Sequence, residues 1–337
     1  MVKPVAGCVL LSLTTAGGLL AQEASVADSI SAQVRRVFHE RSSAVVRVEA
    51  TDRHGRLCGT GFFADPSGTV YTLASTVSDA EEVVVIHGGK KLPARVLLSD
   101  PRSGVALLKV QDESPFIPVG DSHSLSLASP VIALGYPMDL DLNPSFGTIG
   151  GFDRKFLGKF FVTTHLRVNV PVQAGFGGAP LLNMQGEVVG MVIAGLGDGS
   201  LCFVLPIEAV EKVRADYARY GEVRPGWVGV NVLDEGSKDR PKVVVAQLGP
   251  DTPASRSGLL EGDELIQVGN VPITCAEDIL DAAFFLTAGD PVTIKFLRDG
   301  QPTSVTVNSI NHPATDKGYD LHVADPLQSS DFNLLAK

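Results

Sequence analysis

The sequence predicts a mostly β protein in two units, a larger one of about ten short strands and a smaller mixed one with a single helix. Three observations carry that expectation. Short apolar runs rich in Val, Ile, Leu and Phe follow one another closely, which is the spacing of a β-barrel or sandwich. Turn-forming clusters separate them, among them Asp65-Pro66-Ser67-Gly68, His87-Gly88-Gly89, Asp100-Pro101 and Gln185-Gly186. The chain also holds 35 glycines and 21 prolines in 337 residues, with few stretches of helical periodicity.

In chain order, residues 1–21 read as a secretory signal. Lys3 supplies the positive start, 5–20 the apolar run and Ala21 a small residue before the polar Gln22. A cut near Ala24 or Ala27 fits as well. Ser12, Thr14, Thr15, Gly17 and Gly18 interrupt the run, which is too short for a comfortable membrane span. Ile30, Val34, Val37 and Phe38 are spaced for an amphipathic helix over 28–42. The strands expected next are 44–50, 59–64, 70–74, 83–87, 94–98, 105–110, 131–134, 160–164, 188–193 and 202–205. A helix over 206–220 follows, closed by Gly221, and glycine just past a helix is the usual stop.

The second unit begins near Glu222. Its strands fall at 228–232, 243–247, 264–268, 291–298 and 303–307, with a helix at 276–286. Residues 309–337 form a polar tail without periodicity. The division is therefore 1–21 signal, 22–221 first unit, 222–308 second unit and 309–337 tail.

Composition narrows the function. A formal charge of −10 argues against nucleic acid and anionic membrane surfaces, both of which need basic patches. Without the signal, three cysteines remain, Cys58, Cys202 and Cys275, in no metal-binding spacing; the expectation is three buried, unpaired thiols, with a Cys58–Cys202 bridge as the alternative. No nucleotide or metal motif is visible, so neither cofactor nor metal is expected. Gly195-Leu196-Gly197-Asp198-Gly199 reads as a hairpin loop because no helix-opening pattern follows it.

Several segments resemble the HtrA/Deg family of exported serine proteases, over roughly 40–220. Gly59-Thr60-Gly61-Phe62-Phe63 before Asp65-Pro66-Ser67-Gly68 is similar to that family's G-S-G-F-I-I-D hairpin. Val70 to Val77 falls on its I-L-T-N-x-H-V-V segment, and Leu98 to Lys109 on T-D-x-x-x-D-L-A-V-L-K. Gly120-Asp121-Ser122 and Ala133-Leu134-Gly135-Tyr136-Pro137 match G-D-S and A-I-G-N-P. Gly175-Phe176-Gly177-Gly178-Ala179-Pro180-Leu181-Leu182-Asn183 resembles the nucleophile loop G-N-S-G-G-P-L-L-N. The resemblance implies a trypsin-like double β-barrel.

The departures decide the chemistry. Ser75 stands at the family's histidine, Gly104 at its aspartate and Gly177 at its serine, 29 and 73 positions apart (104 − 75 and 177 − 104). The reaction needs an imidazole to take the hydroxyl proton and a carboxylate to orient it. The expectation is a pseudoprotease with no catalytic residue. An oxyanion-loop remnant would remain at Gly175, Phe176 and Gly177, with Phe176 expected to close the site. His54, His87, His123 and His165 lie off the aligned positions and read as surface or structural.

Residues 224–308 resemble a PDZ domain. The matching segments are Gly226-Trp227-Val228-Gly229-Val230, Pro250-Asp251-Thr252-Pro253-Ala254 with Gly258-Leu259, Glu261 to Asn270, and Arg298-Asp299-Gly300. That likeness implies that an extended peptide or protein C-terminus adds to a strand edge. Val228, Gly229 and Val230 would supply amides, Trp227 an anchor or ligand contact, and Ile279, Ala283 and Leu286 a helix face under the groove. The leading expectation is an exported peptide-binding adaptor, scaffold or chaperone-like protein. Two alternatives stand beside it: a serine endopeptidase with an unorthodox site, and a structural subunit assembling with active relatives. The resemblance also implies a homo-oligomer, a trimer in the family.

Overall fold

The computed structural model describes residues 16–311, apart from 54, 113, 198, 238 and 239. Residues 1–15 and 312–337, which hold most of the expected signal and tail, lie outside the described part. The helix expected at 28–42 is longer, running as α1 through Ala16–Arg41 and so across the anticipated cleavage point. Its buried Val37, with Val34 and Phe38, packs on the barrel core.

The first barrel is a seven-stranded antiparallel sheet. Its strands are β1 (Val45–Asp52), β2 (Gly55–Phe63), β3 (Thr69–Leu73), β4 (Glu82–His87), β5 (Lys90–Pro93), β6 (Arg95–Asp100) and β7 (Val105–Lys109). They lie in the order β5-β4-β1-β2-β3-β7-β6, and the short helix α2 (Ala74–Val77) follows β3. The second barrel is closed. Its strands β8 (Pro130–Gly135), β9 (Asn143–Phe156), β10 (Lys159–Val168), β11 (Pro180–Leu182), β12 (Val188–Leu196) and β13 (Leu201–Pro206) run β10-β13-β12-β11-β8-β9. Helix α3 (Ile207–Tyr220) packs Ile207, Val210 and Val213 on the barrels and stops at Gly221, whose φ is 75°.

All ten strands expected in the first unit are present. Strands β5, β9 and β11 are additions. The long β9 carries Pro144, Gly147, Gly150 and Gly151, residues that weaken a local strand signal. Those glycines sit where the partner backbone crowds in: a Cβ at Gly147 would lie 2.0 Å from the Asn169 carbonyl oxygen.

The second unit comprises β14 (Gly226–Trp227), β15 (Val230–Ser237), β16 (Arg240–Leu248), β17 (Glu264–Val268), β18 (Val271–Pro272), helix α4 (Asp278–Phe285), β19 (Pro291–Arg298), β20 (Gln301–Asn308) and β21 (Ile310–Asn311). The main sheet runs β15-β16-β17-β19-β20, so β15 is an edge strand. Strand β21 pairs with β14, which takes the first residues of the expected tail into the fold. Core packing is supplied by Val243, Val245, Leu265, Ile294 and Phe296.

The two units meet along β9, β10, α3 and α4. Asp281 on α4 accepts hydrogen bonds from Thr163 Oγ1 (2.7 Å), Thr164 N–H (2.5 Å), Thr164 Oγ1 (2.7 Å) and Arg154 Nε (3.2 Å). Arg154 also pairs with Asp278, and Lys155 with Glu277 at 2.9 Å. Burial alone would raise the Asp278 pKa. Hydrogen bonds from Thr274 and Cys275, with the Arg154 charge, outweigh it and hold the carboxyl below its usual range. Phe284 enters the core of the first unit. A second set of bonds joins α3 to the loop after α4, from Thr287 Oγ1 to Asp216 (2.8 Å) and from Arg219 and Tyr220 to Asp290 (2.6 and 2.9 Å).

Candidate functional site

Ser75, Gly104 and Gly177 come together between the two barrels. Ser75 lies on α2, Gly104 in the turn entering β7 and Gly177 in the loop before β11. The Ala74 N–H donates to the Gly104 carbonyl (2.8 Å), which brings the first two positions side by side. Leu73, the last residue of β3, bridges to the third. A Cβ at Gly177 would stand 2.7 Å from Leu73 Cδ2, and one at Gly104 would stand 3.7 Å from Leu73 Cδ1 and 3.4 Å from Ile193 Cδ1. Apolar side chains thus border the space where the aligned hydroxyl and carboxylate would project. Ser75 is exposed and lines a small cavity of about 30 Å³ with Ala50, Asp52, Leu57, Asp79 and Ala80.

The loop carrying Gly177 keeps an organised backbone. Thr60 holds it, donating from its N–H to the Gly177 carbonyl (3.0 Å) and from Oγ1 to the Gly175 carbonyl (2.7 Å). Phe176 N–H goes to Gln173 O and Gly178 N–H to Val192 O (3.0 and 2.8 Å). Among the described hydrogen bonds, the N–H groups of Gly175 and Gly177 have no acceptor. Gly175 (φ 96°) and Gly178 (φ 86°) need the left-handed region, and a Cβ on either would fall 2.2 Å from a carbonyl oxygen. Phe176 does not close the cleft as expected. Its ring is buried in the core of the second barrel against Gly135, where residues large enough to fill the barrel leave room only for a glycine.

The histidines are engaged elsewhere. His87 lies 3.2 Å from Asp112 and 3.0 Å from the Ser43 carbonyl. His165 is fully buried on β10, stacked on Phe161 at 4.4 Å, and burial lowers its pKa to about 4, so it is neutral at pH 7. His54 lies outside the described residues. Among the described residues none of Cys58, Cys202 and Cys275 is in a disulfide; only Cys202 is fully buried, and Cys58 and Cys275 are half-buried. Burial pushes the Cys202 thiol up to about 12, which keeps it protonated and inert.

At the head of the second unit, Trp227, Val228, Gly229 and Val230 form the turn between β14 and β15. The Val228 carbonyl accepts from Ala254 N–H and the Gly229 carbonyl from Gly249 N–H, both at 2.9 Å. With trans peptides throughout, the N–H groups of Gly229 and Val230 must point the opposite way, out of the sheet. Gly229 has φ 85°, and a Cβ there would lie 2.3 Å from Thr252. Among the described residues the outer edge of β15 pairs with no strand. The Ala276 N–H donates to Asp234 Oδ1 (2.7 Å), tying that strand to the start of α4. Ile279 and Leu286 pack on this unit's core as expected of one face, but the fully buried alanine of the helix is Ala282, and Ala283 is only half-buried. Helix α4 also ends at Phe285, which leaves Leu286 extended beyond it. Trp227 is half-buried and pairs with Ile310.

A double barrel with a cleft at this position, followed by such a loop and edge strand, is the architecture of a trypsin-like peptidase domain joined to a PDZ domain. Family models for these two domains match residues 59–191 and 226–308. The chain belongs with the HtrA/DegP-type homologues. It is 31% identical over 277 residues to a probable periplasmic serine endoprotease DegP-like of Halomonas elongata, covering 78% of this chain and 58% of the relative. A protein of the same description from Pseudomonas fluorescens is 30% identical over 299 residues, 84% of this chain and 62% of the relative. The chain thus spans about three-fifths of the length of these curated relatives. Among solved structures, the HtrA-type protease AlgW with a tripeptide superposes with a TM-score of 0.69 at 22% identity, covering 83% of this chain and 97% of that one. A serine endoprotease from Yersinia pestis gives 0.60 at 24% identity, covering 83% and 98%. Among the described residues no helix is long and apolar enough to cross a membrane.

Proposed function

We propose that this chain is an exported, catalytically silent HtrA-type protein that binds extended or C-terminal peptides through its PDZ domain. One observation carries the reading. Where the aligned nucleophile would stand there is Gly177, with Leu73 Cδ2 only 2.7 Å from any side chain built there. Glycine offers nothing to activate, and the aligned base and orienting positions hold Ser75 and Gly104. Loss of all three triad members costs about 10⁶-fold in turnover, leaving only what the amides of the loop provide. The peptide-binding half draws support from the outward amides of Gly229 and Val230 beside the unpaired edge of β15, which suit a carboxylate and an added strand. Export draws support from residues 1–21 and from the periplasmic naming of the relatives.

Binding is tested with fluorescent peptides carrying apolar C-terminal residues, each made with a free and with an amidated terminus. The free-carboxylate forms bind and the amides bind at least about tenfold more weakly, because a charge-assisted contact to two amides is lost. Equal binding of both forms, or none, contradicts the proposal.

A further inference from the structure

The segment joining the two barrels and the first turn of α3 place three ligating atoms together. Asp121 and His123 come from the tight turn at 121–124, and Glu208 from the start of α3. His123 Nδ1 lies 3.3 Å from Asp121 Oδ1 and 3.6 Å from Glu208 Oε1, and all three donor atoms are within 4.8 Å of one another. Tetrahedral zinc with ligand bonds of about 2.0–2.1 Å needs donors about 3.3–3.4 Å apart, and the two distances from His123 Nδ1 lie close to that spacing.

The same oxygens already accept hydrogen bonds, and Asp121 Oδ1 also lies within hydrogen-bond distance of His123 Nδ1 (3.3 Å), so a bound ion takes the place of the Nδ1 proton and uses the lone pairs that each carboxylate keeps. Asp121 Oδ1 caps the turn by accepting the His123 N–H (2.9 Å), and Ser122 fixes Glu208, donating its N–H to Oε1 (2.8 Å) and its hydroxyl to Oε2. Electrostatics favours a cation as well. Among the described residues no lysine or arginine pairs with either carboxylate, so His123 is their only cationic partner, and only when protonated. The cluster also borders open space. His123 and Glu208 line a cavity of about 590 Å³ between the two units, whose walls include Phe152, Leu166, Pro206, Pro272 and Phe285.

We infer that Asp121, His123 and Glu208 form a binding site for a divalent cation of nitrogen and oxygen preference, Zn²⁺ being the best match. Three protein donors leave one of four positions open, and the ion sits at the wall of the inter-unit cavity. The site is independent of the peptide-binding reading. Bound metal fastens the 121–124 turn to α3.

The test is calorimetric titration of the full chain with ZnCl₂ at pH 7.5, with melting curves in zinc and in EDTA. One ion binds per chain with Kd tighter than about 100 µM, and zinc raises the melting temperature. His123→Ala and Asp121→Asn each weaken binding about tenfold or more, while their melting temperatures in EDTA match the parent's, since both side chains are exposed. Binding weaker than that limit, or equal affinity in His123→Ala, overturns the inference; the latter assigns the ion to other ligands.

Discussion

The cleft between the barrels and the loop at the head of the second unit are built with the same tool and open onto different surroundings. Each is a glycine turn held by hydrogen bonds to its backbone: Gly175 and Gly177 bonded to Thr60 and Gly178 to Val192, and Gly229 bonded to Gly249. In the second unit the turn leads into a strand edge that pairs with no other strand among the described residues. In the first, Gly177 faces Leu73, with Ser75 exposed alongside. The left-handed glycines and their backbone hydrogen bonds fix the loop conformation whatever side chain stands at position 177. Backbone geometry alone is therefore poor grounds for assigning activity.

The largest effect is expected at the turns themselves. Gly178→Ala forces a Cβ to 2.2 Å from the Thr60 carbonyl in a left-handed conformation. It should cost about 3 kcal/mol or more, read as loss of the cooperative melting transition. Gly229→Ala, with its Cβ 2.3 Å from Thr252, should abolish peptide binding. A Gly229→Ala chain that binds normally would break the parallel.

Next in size is the link between the regions. Asp281→Ala removes four hydrogen bonds and strips Arg154 of one partner. Breaking a largely buried charged network of this kind costs about 3 kcal/mol. Calorimetry should then show two separated transitions in place of one.

Gly177→Ser sharpens the comparison from the other side. The new Cβ meets Leu73 Cδ2 at 2.7 Å, and overpacking of this kind costs about 1–3 kcal/mol. Combining Ser75→His, Gly104→Asp and Gly177→Ser should stay inert until Leu73 is also trimmed to alanine; cleavage by the triple variant alone would show that Leu73 yields easily.

The most gradual effect is a pH slope. His165 binds its proton near pH 6.5 when unfolded and only near pH 4 when folded. The unfolded state therefore takes up more protons in that window, and stability present above pH 6.5 is lost as the pH falls toward 4, by about 1 kcal/mol per unit. His165→Phe should flatten the slope in urea titrations at pH 4.5 and 7.

Strand positions were legible because apolar runs and turn residues mark them directly, as at 70–74 and 188–193. Strand β9 was not, since Gly147, Gly150 and Gly151 are strand residues only by virtue of Asn169 and Arg167 packed on them, and no local pattern encodes that contact. Strand β5 is only Lys90–Pro93, too short and charged to register. The three cleft positions could be aligned from motifs, but Leu73 lying across two of them could not. Neither could the Arg154–Asp278–Asp281 link or the Asp121–His123–Glu208 cluster, whose members lie far apart in sequence and meet only in the folded chain.

Incubation of the purified chain with unfolded casein, followed by mass spectrometry alongside a serine-directed fluorophosphonate probe, addresses the central claim most directly. A silent cleft gives intact casein and no labelled serine over a day at 37 °C. Fragments accompanied by labelling at one defined serine would contradict the account and place an active site elsewhere in the chain.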